Sequence, residues 1–96
     1  LGDVEMKWYK VKYRKLGKEK VYGWAHHEGN IVEMDSRLTG KKHMEILIHE
    51  SMHLLFPELE EEEIEEKSII LTNTLWRQKY RRIDDSNNIP LQDGSK

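Results

Sequence analysis

Two histidines four residues apart, His49 and His53, with a glutamate directly after the first, are the residues whose types and spacing carry most chemistry in this chain. On a helix, positions four apart lie one turn above each other, so both imidazoles can reach a single ion. Glu50 leaves the axis about 100° from His49. That offset keeps its carboxylate out of the ligand set and leaves it able to take a proton from water acidified by the ion. Chance produces so short a pattern in a glutamate-rich chain at roughly a few per cent. Here, however, it lies within an apolar stretch, where His49, Glu50 and His53 would be costly to bury without a partner.

A hydrolytic centre normally has three protein ligands and one open position. No histidine follows His53 and the chain has no cysteine, so the third ligand should be a carboxylate. Glu65 is the first choice, beside Ile64 and a turn before Ser68; Glu61 and Glu62 compete with it. An all-nitrogen-and-oxygen set of this kind suits a divalent metal, with Zn²⁺ the expected cofactor.

The elements that must position these groups are legible as patterns. Val4 to Tyr13 mixes aromatic and β-branched residues with lysines and reads as a strand. Leu16-Gly17-Lys18 is a turn, Lys20 to His27 a second strand, Glu28-Gly29-Asn30 another turn, and Ile31 to Asp35 a third strand. The short spacings predict an antiparallel meander, because a parallel pair needs a long crossover. From Lys42 to Phe56 the apolar residues recur at helical spacing, with Thr39 as a candidate cap, and Pro57 stops that helix. Glu58 and Glu60 to Glu63 favour the positive end of a second helix, whose inward face is Ile64, Ser68, Leu71 and Leu75 and which runs to about Arg77 or Tyr80. The fold class is therefore α+β, a three-stranded antiparallel sheet packed on two helices. Residues 1–96 form one domain with a polar tail from about 83, in which Ile89-Pro90-Leu91 makes at most one contact.

Composition narrows the function. The absence of cysteine removes disulfides and thiolate chemistry. No leader pattern or apolar run of membrane-spanning length is present, so a soluble cytoplasmic protein without membrane contact is the default expectation. Sixteen basic residues against eighteen acidic give a formal net charge of −2, which argues against nucleic acid as a partner. The distribution is uneven, though. Lys7, Lys10, Lys12 and Arg14 interleave with Trp8, Tyr9 and Tyr13, a mixture able to stack bases and neutralise phosphates.

Other residues have weaker claims. His26 and His27 are adjacent on a strand and must face opposite ways; His26 is a candidate substrate or oxyanion contact. Tyr80 and Arg81, beyond the second helix, are candidates for steadying a tetrahedral intermediate or a substrate carboxylate. His43 is read as structural or exposed.

The stretch Ile48-His49-Glu50-Ser51-Met52-His53-Leu54-Leu55, followed by Ile64-Glu65, Ser68, Leu71-Thr72 and Leu75, resembles compact gluzincin-type zinc metallopeptidases. It is most similar to ImmA/IrrE-like domains and small phage-encoded HExxH metallopeptidases. The resemblance covers roughly residues 31–75 and departs at Ser68, where a small alanine is usual, and in the brief linker between the helices. It implies a minimal zincin-like fold, ligands at His49, His53 and Glu65, and Glu50 as general base. It also implies an edge strand, here Ile31 to Asp35, along which an extended peptide or protein substrate docks. The leading function is zinc-dependent hydrolysis of a peptide or related amide bond. The alternative is a non-catalytic zinc-stabilised protein-binding module.

Overall fold

The computed structural model describes residues 6–83. Strands β1 (Lys10–Arg14), β2 (Gly23–His26) and β3 (Ile31–Asp35) precede helices α1 (Gly40–Leu55) and α2 (Glu61–Arg77). Three strands packed on two helices give the expected α+β architecture. The predicted tail contact at Ile89-Pro90-Leu91 and the start of the first strand at Val4 lie outside the described residues.

Strand pairing departs from the meander. The order is β1-β3-β2. β2 and β3 form an antiparallel hairpin, closed by a turn in which Gly29 (φ 89°) and Asn30 (φ 53°) take left-handed backbone, a conformation these two residue types accept most readily. β1, however, runs parallel to β3, with Lys10 opposite Ile31 and Arg14 opposite Asp35. The connection from Arg14 to Ile31 carries β2 within it, so it has the length that a parallel pair requires. Ile31–Asp35 is accordingly the central strand and not the predicted edge. Val32 and Met34 on it are fully buried, which is what pairing on both sides and a helix on one face demand.

Asp35 fastens the end of this sheet. It accepts hydrogen bonds from the Leu16 amide (3.0 Å), the Arg37 amide (2.9 Å) and the Arg37 guanidinium (2.9 and 2.7 Å). The Arg37 side chain, then the amides of Arg37 and Leu16, hold its carboxyl well below the usual range.

Helix α1 lays Ile46, Leu47 and Leu54 against Val32 and Met34. Thr39 does occupy the N-cap position, in extended backbone, yet its side chain makes no capping bond. The chain turns after Phe56, and α2 begins with a capping box in which Glu60 and Glu63 bond each other's backbone amides. Most of the glutamate run therefore serves to start a helix. The inward face of α2 is Ile64, Ser68 and Thr72, all buried, while Leu71, predicted to point in, is 40% exposed. An i, i+4, i+8 stripe with two small residues lets α2 approach α1 closely. Among the described residues no helix is long and apolar enough to cross a membrane.

Candidate metal centre

The two faces of α1 divide the chemistry. Ile46, Glu50 and Leu54 follow each other one turn apart on the side toward the sheet, whereas His49 and His53 sit about 100° around the axis, toward α2. The imidazoles are neighbours, with ring centroids 5.0 Å apart. The bend through Pro57 brings the start of α2 back over them. Glu61 then lies 3.1 Å from His49 Nε2 through one carboxylate oxygen and 2.8 Å from His53 Nε2 through the other.

One donor atom from each of His49, His53 and Glu61 lies within 4.8 Å of the other two. Ligand atoms around a tetrahedral zinc, each about 2.0–2.1 Å from it, are separated by about 3.3 Å, so the three residues fit a divalent ion of this size. The donors are borderline imidazoles and a hard carboxylate, the chemistry of a zinc site open at one position. Glu61 is two-thirds exposed and His49 largely covered, so solvent reaches the cluster from the Glu61 side.

The cluster brings in Glu61, one of the two competitors, in place of the first choice, Glu65. Glu65, carried over as third ligand, lies 3.4 Å from His49 Nδ1, the ring nitrogen turned away from Glu61. A carboxylate on that side stands where the group that orients a metal-bound histidine usually does, at a separation longer than a hydrogen bond. Glu61 and Glu65 are one turn apart on α2, so they meet the same histidine at its two nitrogens. Glu62 is exposed and joins neither contact.

Glu50 occupies the adjoining space under β2. Burial pushes its carboxyl above the ordinary range; His49 and His53 oppose the shift, Glu61 adds to it, and the Ala25 amide opposes it. Gly23 makes the close strand–helix approach possible: a Cβ there would lie 2.8 Å from Glu50 Cγ and 2.8 Å from Ile46 Cγ2. A glycine inside a strand marks such an approach of neighbouring atoms, so Gly23 was identifiable from sequence as a point of contact, though not its partner.

No family model, curated protein or solved structure matches the chain. The site is thus defined by its own geometry.

The remaining candidates separate. His26 lies on the sheet face away from the helices, where its Nε2 is 3.0 Å from Glu33 Oε1 and its ring stacks on Trp24; it does not approach His49 or His53. His27, its neighbour with the opposite orientation, turns to α1 and donates from Nε2 to the His53 carbonyl at 2.9 Å. Strand alternation separates the pair as expected, but it is His27 and not the candidate His26 that turns toward α1. Tyr80 and Arg81 lie at the far end of the helical pair, in a pocket of about 400 Å³ with His43, Met44 and Trp76. Arg81 stacks 3.5 Å over the Trp76 ring and bonds the Trp76 and Tyr80 carbonyls. From His43 to His53 the helix rises about 15 Å, so neither residue serves the metal centre. His43 is buried and hydrogen-bonded to Tyr13; its role is structural.

Proposed function

We propose that this protein is a minimal zinc-dependent peptidase, with His49, His53 and Glu61 as ligands and Glu50 as general base. One observation carries the reading: two imidazoles and a carboxylate converge on one point while a partly buried carboxylate on the next face of the same helix is left out of the ligand group. A bound Zn²⁺ would supply Lewis acidity toward the scissile carbonyl and lower the pKa of water.

The chain's own residues supply the rest. Glu50 takes a proton from the attacking water and passes it to the leaving amine, a task helped by a carboxyl pKa raised toward the working pH. Glu65 faces His49 from the Nδ1 side and leaves its Nε2 available. The extended substrate docks on β2, not on Ile31–Asp35. Tyr22 carries a ladder bond with Asp35, so in alternation Trp24 and His26 bond β3, while Gly23 and Ala25 direct backbone groups to the free edge beside Glu50. The resemblance of roughly residues 31–75 to gluzincin-type peptidases supports the two histidine ligands and Glu50 as general base, while it implies Glu65 as ligand and Ile31–Asp35 as the docking edge.

Hydrolysis of a peptide library by the zinc-loaded protein and by Glu50→Gln tests it. Wild type should cleave and Glu50→Gln should bind zinc normally but lose at least a hundredfold in kcat, within the range for removal of a general base. Zinc binding that raises the melting temperature with no cleavage of any peptide would instead establish the non-catalytic module.

A further inference from the structure

Helix α1 packs on one side of the sheet and α2 packs on α1, and the opposite side of the sheet carries a second arrangement unrelated to the metal centre. Alternation sends Val11, Ala25, Val32 and Met34 toward α1, so Lys10, Lys12 and Arg14 of β1, Trp24 and His26 of β2, and Ile31 and Glu33 of β3 share the outer face. The register aligns Lys12, Glu33 and Trp24 in one row and Lys10, Ile31 and His26 in the next. Trp24 is 45% exposed and stacks on His26 at 5.2 Å, and Trp8, at the entrance to β1, is 76% exposed. Tyr9 packs toward the core and Tyr13 bonds His43. Indole and imidazole rings, not the tyrosines, therefore make this surface.

On the strands this face carries three bases, Lys10, Lys12 and Arg14, against one acid, Glu33. Glu33 is engaged by Arg14 at 2.7 and 3.3 Å and by His26 at 3.0 Å, and Arg14 is also held by Glu19 at 3.1 Å, so the amines of Lys10 and Lys12 carry the charge of the face. Residues 7–20 contain seven basic side chains and one acidic, while residues 58–66 contain seven glutamates and no base. The net charge of −2 thus conceals a separation between a cationic segment around β1 and an anionic start of α2. A shallow groove of about 570 Å³ runs over the face between Lys12, Arg14, His26, Ile31 and Glu33, with His27 and Glu28 at its hairpin end.

We propose that this outer face binds single-stranded nucleic acid. Cationic amines beside exposed ring faces match a polyanion whose bases can stack, and an open sheet presents rings only to bases that are already unpaired. An acidic peptide would use the amines but leave the indoles unexplained. A duplex would keep its bases from them.

Fluorescence anisotropy of a labelled twelve-nucleotide oligothymidine, titrated between 20 and 200 mM salt, is the test. Saturable binding is expected at low salt, with log K falling against log salt at a slope of about −1.4 if two phosphates are neutralised. Trp24→Ala, and separately the pair Lys10→Glu with Lys12→Glu, should each weaken binding at least tenfold, Trp24→Phe should keep most of it, and Glu50→Gln should leave it unchanged. These exposed positions leave the core intact, and unfolding midpoints verify that. No saturation at low salt, affinity indifferent to these substitutions, equal binding of a polyglutamate peptide, or a dimer abolished by Trp24→Ala would each overturn the proposal.

Discussion

Replacing Gly23 by alanine probes the contact that holds Glu50 in place. The new methyl would meet Glu50 Cγ and Ile46 Cγ2 at 2.8 Å and the Glu33 carbonyl oxygen at 3.3 Å. Carbon atoms settle at about 3.5–4.0 Å, so β2 and the two side chains must separate by roughly 0.7–1.2 Å. Overpacking on this scale costs about 1–3 kcal/mol, and each kcal/mol is worth about 4–8 °C of midpoint in a domain of this size. Urea and thermal unfolding of the metal-free protein should therefore show a clear loss. Zinc affinity should stay near wild type, because His49 and His53 leave α1 about 100° around the axis from Glu50, toward Glu61 of α2. Hydrolysis should fall tenfold or more, since a displacement of about 1 Å at a catalytic group is enough to cost that. Glu50→Ala removes one of the two close carbons, so Gly23→Ala should cost at least about 0.5 kcal/mol less in that background. Unfolding of Gly23→Ala at the wild-type midpoint, or strict additivity of the two substitutions, would refute the reasoning.

Zinc competition with a chromophoric chelator should rank Glu61→Ala as the weaker binder, with Glu65→Ala losing about 10–100-fold, the range for an orienting carboxylate; the reverse order would return Glu65 to the ligand set. Saturating zinc should raise the unfolding free energy, by about 2.7 kcal/mol at a hundred times Kd, and a chelator should remove that gain, as differential scanning fluorimetry will register. Burial, then the nearby Arg82, lowers the pKa of His43. The folded state then binds fewer protons than the unfolded, so this contribution is present above about pH 6.5 and is lost as pH falls from there through the folded value. In metal-free protein the advantage of wild type over His43→Gln should accordingly shrink between pH 8 and 5, and a constant difference would count against a neutral buried ring. The hydrogen bonds from Arg14 and then His26 hold Glu33 at about 2. That stabilisation is present above the ordinary carboxylate pKa and is lost as pH falls through 2, so Arg14→Met should flatten the acid limb of a stability profile.

The local chemistry was legible because it follows from one helix and its period. Spacing alone put His49 and His53 on one face and Glu50 on the next, and the structure keeps both. The bounds of β3 and the reach of α2 to Arg77 also follow from short-range signals: a dense apolar strand and a run of glutamates before an apolar stripe. Adjacent strand residues must diverge, which separated His26 from His27, but nothing local said which of them would turn toward α1.

Sequence by itself determined which side chains could share a turn, a strand face or a cap, since those relations are fixed by backbone geometry within a few residues. Only the tertiary structure decided which strand lies in the middle, which of Glu61, Glu62 and Glu65 meets the histidines at Nε2, and that Gly23 and Ala25 sit against Glu50. Each of those depends on how separate elements are rotated and aligned against one another. That phase is set by the five-residue turn from Phe56 to Glu60, the packing of Ile64, Ser68 and Thr72 on α1, and a parallel β1–β3 pairing that no neighbouring residue dictates.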